Sequence, residues 1–116
     1  MTFRQAIARK EGNMPHHRNM RNNNPGNIVW GKFAEAHGGT LEEHKTPRFA
    51  RFETMEAGWE AMRQLLLKHY KGLTIKQAIY KWAPPTENDS LSYVHFVCHH
   101  ARLKADDVLT EEIINQ

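Results

Sequence analysis

A single cysteine, Cys98, in a chain of 116 residues excludes an intramolecular disulfide and any zinc site built from several thiolates. No apolar run approaches the roughly 20 residues that a membrane-spanning helix needs, so no membrane partner is expected. The first ten residues carry Arg4, Arg9 and Lys10 but no apolar block leading to a small-residue cleavage site. A secretory signal peptide is therefore not expected, and a target outside the cytoplasm has to be reached by release, injection or secretion. There is also no basic stripe or known DNA-binding motif, because Lys and Arg are scattered, and no nucleic-acid partner is expected.

What is present describes one folded domain over residues 1–116. Hydrophobic residues make up 40% and charged residues 25%, enough for a core without disulfides or metal. Sixteen Lys and Arg against thirteen Asp and Glu leave a net charge of +3, and eight His add to it in mild acid. Such a surface suits an anionic partner, including an acidic cell wall. A monomer is expected.

Helical signals frame the chain. Thr2 followed by Gln5 is a capping box, and Phe3, Ala6 and Ile7 form one apolar face behind it. Gly12 and Asn13 are stop residues, which puts Glu11 at the end of the first helix. Residues 13–53 lack helical period and are rich in Asn, Gly, Pro and His, so turns and two short strands are predicted, at 27–30 and 48–53. Thr54 caps a long helix with Met55, Trp59, Met62, Leu66 and Tyr70 on one face, expected to be the central helix. Gly58 inside it predicts a close approach by another part of the chain. Thr74 with Gln77 starts a further helix that Ala83-Pro84-Pro85 stops. Another helix begins at Ser90, with Asp89 as its cap, and a short one follows Thr110. The fold class expected is α+β and mostly helical: about five helices around residues 55–70, with a small β-lobe over 27–52.

Three segments carry candidate chemistry. The negative end of a helix dipole favours the neutral form of a carboxyl placed there, and a proton-bearing carboxyl is what a general acid requires; Glu11 is the candidate. The run Arg21-Asn22-Asn23-Asn24-Pro25-Gly26-Asn27-Ile28 holds more amides than a turn needs, and amides bind sugar hydroxyls or acetamido groups as readily as they bind backbone. Trp82-Ala83-Pro84-Pro85-Thr86-Glu87-Asn88-Asp89 with Tyr93 joins aromatic rings, on which sugar faces stack, to a polar loop.

These segments, with Phe49-Ala50-Arg51-Phe52 and Glu56-Ala57-Gly58 between them, resemble a family of small phage and prophage-borne proteins over residues 7–109. More distantly their order resembles flagellar-type N-acetylglucosaminidases, lytic transglycosylases and other members of the lysozyme superfamily. The resemblance implies a lysozyme-like fold and an endolysin-type glycosidase that cuts peptidoglycan glycan strands, as a muramidase, glucosaminidase or lytic transglycosylase. It implies Glu11 as the acid, Tyr93 as a cleft tyrosine, and Asn24 and Asn27 as the turn facing the cleft. Asn22, Trp82, Glu87 and Asn88 complete the expected substrate-binding set. For a second carboxylate, Glu35, Glu42, Glu43 and Glu53 are candidates. Glu53 ranks first because it follows a strand, although capping beside Thr54 explains it equally well. A single-carboxylate mechanism is the other option, with the acetamido or 6-hydroxyl group of the substrate completing the reaction. No cofactor and no metal are expected; the action would be at the bacterial wall or periplasm.

Two rival readings stand beside this one. His95 and His99 one turn apart, with Cys98 near and loop histidines such as His16 and His17, allow a metal site. A non-enzymatic reading keeps the fold as a virion structural component or a wall-binding module. Cys98, on an apolar face with Leu91, Val94 and Ala101, reads as core rather than as a nucleophile.

Overall fold

Threonine side chains set most of the helix starts. Thr2 Oγ1 accepts from Gln5 N while Gln5 Oε1 accepts from Thr2 N, opening α1 (Phe3–Lys10). The same reciprocal pair, Thr74 and Gln77, opens α5 (Ile75–Trp82). Thr54 caps α4 (Met55–His69), Asp89 caps α6 (Ser90–Ala101) and Thr110 caps α7 (Glu111–Asn115). Each such cap satisfies a backbone N–H that the helix itself leaves open.

The computed structural model describes residues 1–12 and 17–116. Over these the fold is α+β and mostly helical, with one two-stranded antiparallel sheet. Asn13, expected as a stop residue, and His16, named in the metal reading, lie outside the described residues.

The β-lobe is smaller than its sequence suggests, and differently paired. The sheet joins β1 (Thr40–Leu41) to β2 (Ala50–Arg51), with Thr40 opposite Arg51 and Leu41 opposite Ala50. The expected strand over 48–53 shrinks to β2. The expected strand over 27–30 reduces to a single bridge, Val29 to Phe49, flanked by Trp30 N donating to Arg48 O and Ala50 N to Ile28 O. The ladder stops there because Asn27 is left-handed (φ 51°) and the Ile28 N–H donates to the Asn24 amide instead of to a strand. Two short helices, α2 (Arg18–Arg21) and α3 (Lys32–Ala36), also sit in the stretch read as loop and strand. Helices of four and five residues hold too few turns to show a period.

One core serves both parts. Phe3 and Ile7 of α1, Met62 and Leu66 of α4, Ile79 of α5, and Val94 and Val97 of α6 are buried together with Ile28 and Phe52 from the lobe. Each such side chain contributes about 2 kcal/mol by leaving water. Helix α6 packs against α1 and α5, and α7 against α4 and α1. Helix α4, expected at the centre, supplies Met62 and Leu66 to the core but packs chiefly against α7, while α6 takes the position between α1 and α5. Cys98 is only half-buried, packed against the edge of the core; burial and then Asp107 push its thiol up.

Gly58 marks where α4 meets the asparagine-rich turn. A Cβ there would lie 1.9 Å from the Asn23 carbonyl oxygen. Only glycine lets the turn rest on the helix, and this contact fixes the turn against the core.

Candidate active site

Glu11 is the C-cap of α1: its N–H still donates to Ile7 O at 2.9 Å, so its side chain leaves the last helical turn in a defined direction. Gly12, at φ 106°, turns the chain away immediately after it. Both carboxylate oxygens of Glu11 are held. Asn27 Nδ2 donates to Oε1 at 3.1 Å, and the Tyr93 hydroxyl donates to Oε2 at 2.7 Å. Tyr93 is itself buried in α6. Burial, and then the neighbouring Glu11, push its phenol well above the ordinary range, so it keeps its proton and serves as a donor. A phenol hydroxyl also accepts, so the contact persists when Glu11 carries a proton.

The asparagines of the turn divide by partner. Asn19 is fully buried, and its Nδ2 donates to Ala8 O and Pro25 O, tying the turn to α1. Asn22 Nδ2 donates to Glu42. Asn23, left-handed at φ 49°, donates to Phe52 O and Glu53 O. Asn24 is fully buried, with Nδ2 donating to Ile28 O and Ala50 O and Oδ1 accepting from Ile28 N. Asn22 and Asn24, expected to bind substrate, are therefore turned inward and engaged with the protein's own groups. Of the three amides expected from the turn, Asn27 alone lines the cleft.

That cleft has a volume of about 490 Å³ and lies between the β-lobe and the helices. Glu11, Gly26 and Asn27 line it together with Val29, Phe33, Arg48 and Phe49 on the lobe side and Tyr70, Lys81, Trp82, Glu87 and Asn88 on the helical side. Trp82 meets Tyr70 edge-on, with centroids 5.4 Å apart. Its indole also rests on Gly26, where a Cβ would come within 2.8 Å of the ring. Asn88 Nδ2 donates to Pro84 O, and Glu87 pairs with Arg48 at 2.9 Å. Among the expected site residues the fold thus gathers Glu11, Asn27, Trp82, Glu87 and Asn88 at the cleft, with Tyr93 bonded to Glu11 although it does not line the cleft.

The candidates for a second carboxylate end up elsewhere. Glu53 is exposed and does not line the cleft, and the same holds for Glu35 and Glu43. Glu42 is buried and accepts five hydrogen bonds: two from Arg18, one from Asn22, and one each from the backbone N–H of Arg48 and Phe49. The Arg18 guanidinium, aided by the other donors, holds its carboxyl far below the usual carboxylate range. It is an ionised tie for the 42–49 loop rather than a reacting group.

Arg48 and Lys81 were not foreseen in the cleft. Lys81 Nζ donates to His69 O at 2.6 Å and lies 4.7 Å from the Tyr70 ring centroid. Nothing in the sequence pairs Arg48 with Glu87; only the fold brings them together, 39 positions apart. Among the described residues, no group of three His, Cys, Asp or Glu is placed to hold a metal ion, and no helix is long and apolar enough to cross a membrane.

The fold and site define an α+β protein with one doubly held carboxyl in a polar-aromatic cleft. No family model matches the chain. It is similar to Protein P5 of Pseudoalteromonas phage PM2, at 35% identity over 101 residues, covering 82% of this chain. The chain spans 62% of the length of that phage protein.

Proposed function

We propose that this protein cleaves the glycan strands of peptidoglycan, with a lysozyme-like arrangement of helices and lobe and with Glu11 as general acid. The observation that supports this most is the placement of Glu11 at a helix end in the cleft, with one oxygen held by Asn27 and the other by Tyr93. The order of helix-end carboxyl, asparagine turn, small lobe and long helix matches the resemblance described above. The similarity to a phage protein fits an enzyme that meets a bacterial wall.

In this reading a sugar stacks on Trp82, and the Glu11 carboxyl passes its proton to the glycosidic oxygen as the C–O bond breaks. The Asn27 and Tyr93 donors then hold the carboxylate that remains. The other carboxylate among the cleft-lining residues, Glu87, is paired with Arg48. With Glu42 held by five donors and Glu35, Glu43 and Glu53 outside the cleft, the sugar cation is met in this reading by water, or by the acetamido or 6-hydroxyl group of the substrate, with Glu11 taking the proton released. The reading uses no metal and no cofactor.

Glu11→Gln tests it. The amide keeps the shape and loses the proton, so turnover of purified peptidoglycan should fall on the order of 10²–10⁴-fold with an unchanged circular dichroism spectrum. Muropeptide mass spectrometry of the wild-type digest names the completing group: anhydro ends mean the internal hydroxyl, reducing ends mean hydrolysis. A wild-type protein that releases no muropeptides from intact or decorated wall material, and a Glu11→Gln variant indistinguishable from it, would overturn the proposal.

A further inference from the structure

An ion pair, Arg48 with Glu87, joins the two walls of the cleft. Arg48 enters from the lobe, just before β2, and Glu87 from the loop between α5 and α6. Their 2.9 Å contact crosses 39 positions of sequence. Both side chains are more than half exposed, at 51% and 56%. The Arg48 guanidinium is also steadied from one side, lying 5.3 Å from the centroid of the Phe49 ring. An exposed pair of this kind is weakly held, because water and salt screen it. A planar guanidinium whose partner is so easily exchanged, on the wall of a cleft, is suited to receive a carboxylate from outside.

We propose that Arg48 binds a carboxylate carried by the substrate, and that Glu87 occupies this position in the empty cleft. The inference rests on the glycan-cleavage reading and narrows it: the preferred substrate is a glycan with free carboxyl groups, such as a peptide-stripped strand whose muramic acid lactyl carboxyls are exposed, over a neutral amino-sugar chain. Binding trades one ion pair for another and frees the link between the walls at the same step. Glu87 thereby acts as a competitor that admits a carboxylate and resists a neutral chain.

Binding in the Glu11→Gln background, where strands stay intact, separates the possibilities. The probes are peptide-free peptidoglycan strands, the same strands with their carboxyls amidated, and neutral chitohexaose. Arg48→Gln should weaken binding of the carboxyl-bearing strands by about fivefold and leave the amidated strands and chitohexaose little changed. Glu87→Gln should strengthen binding of carboxyl-bearing strands, and the gain should vanish in the double variant. Arg48→Gln shifting all three ligands equally, or none, overturns this inference and leaves the glycan reading standing. If none of the three binds the parent protein, the glycan reading fails and this inference fails with it.

Discussion

Asparagine does two kinds of work within a few positions. At 19 and 24 the carboxamide bonds backbone groups of α1, the turn and β2, and at 22 it bonds the Glu42 carboxylate. At 27 the same group faces the cleft and bonds Glu11. Nothing in the residue type distinguishes these uses. Which backbone groups lie near each amide depends on the fold of segments more than twenty residues away, so the Asn-rich run was legible as a special turn but not as one ligand-facing amide among several structural ones. Glu42 shows the same limit, since five donors from four residues converge on it only in three dimensions. Its folded-state carboxyl is held below its unfolded value, so its contribution to stability is complete above the unfolded pKa of about 4.3 and is lost as pH falls toward the folded value. Glu42→Gln should cost about 2–4 kcal/mol at neutral pH in urea denaturation. It should also flatten the loss of stability of the wild type between about pH 5 and pH 2. Equal pH slopes in both proteins would show that Glu42 is not the group responsible.

At the level of elements, the longer helices were legible from caps and apolar faces, with Thr2, Thr54 and Thr74 starting helices where expected and Asp89 capping α6, while the five-residue α7 was marked by its cap Thr110 alone. The lobe was not, because its strands are two residues long and its order is carried by side-chain amides instead of ladders. Gly58 connects the two regimes, since it lets the irregular turn sit on the regular helix α4. Gly58→Ala should destabilise the protein by about 3 kcal/mol or more. The added methyl meets a backbone oxygen at 1.9 Å, which cannot rotate away. Helix propensity alone would predict the opposite sign, a gain of about 1 kcal/mol, so a chemical denaturation midpoint decides between packing and propensity.

For the whole molecule, the cleft arises where a helical body and a small lobe share a core while their surfaces stand apart. Its floor joins the end of α1 to the asparagine turn, and its walls come from chain segments around residues 29–49 and 70–88. The sequence marks both walls by composition; their facing across a gap follows from the way Phe52 and Ile28 of the lobe insert into the helical core. The net charge of +3 acts at this same scale, favouring approach to an anionic polymer without contributing a contact. Association of the Glu11→Gln protein with purified cell-wall sacculi should therefore weaken by a few-fold between about 50 and about 300 mM salt, as the screening length shortens. The carboxyl-free chitohexaose should show no such dependence. A salt-insensitive association with sacculi would mean that charge plays no part in the encounter.

The seat of Trp82 on Gly26 sets the bore of the groove. Because the indole lies where a side chain at position 26 would otherwise project, even one methyl there meets the ring at 2.8 Å and the Met62 sulfur at 3.3 Å, so the ring must shift. The shape of this wall is thus governed by a hydrogen atom on the floor, and position 26 is where the cleft could be reshaped without replacing Glu11, Asn27 or Tyr93.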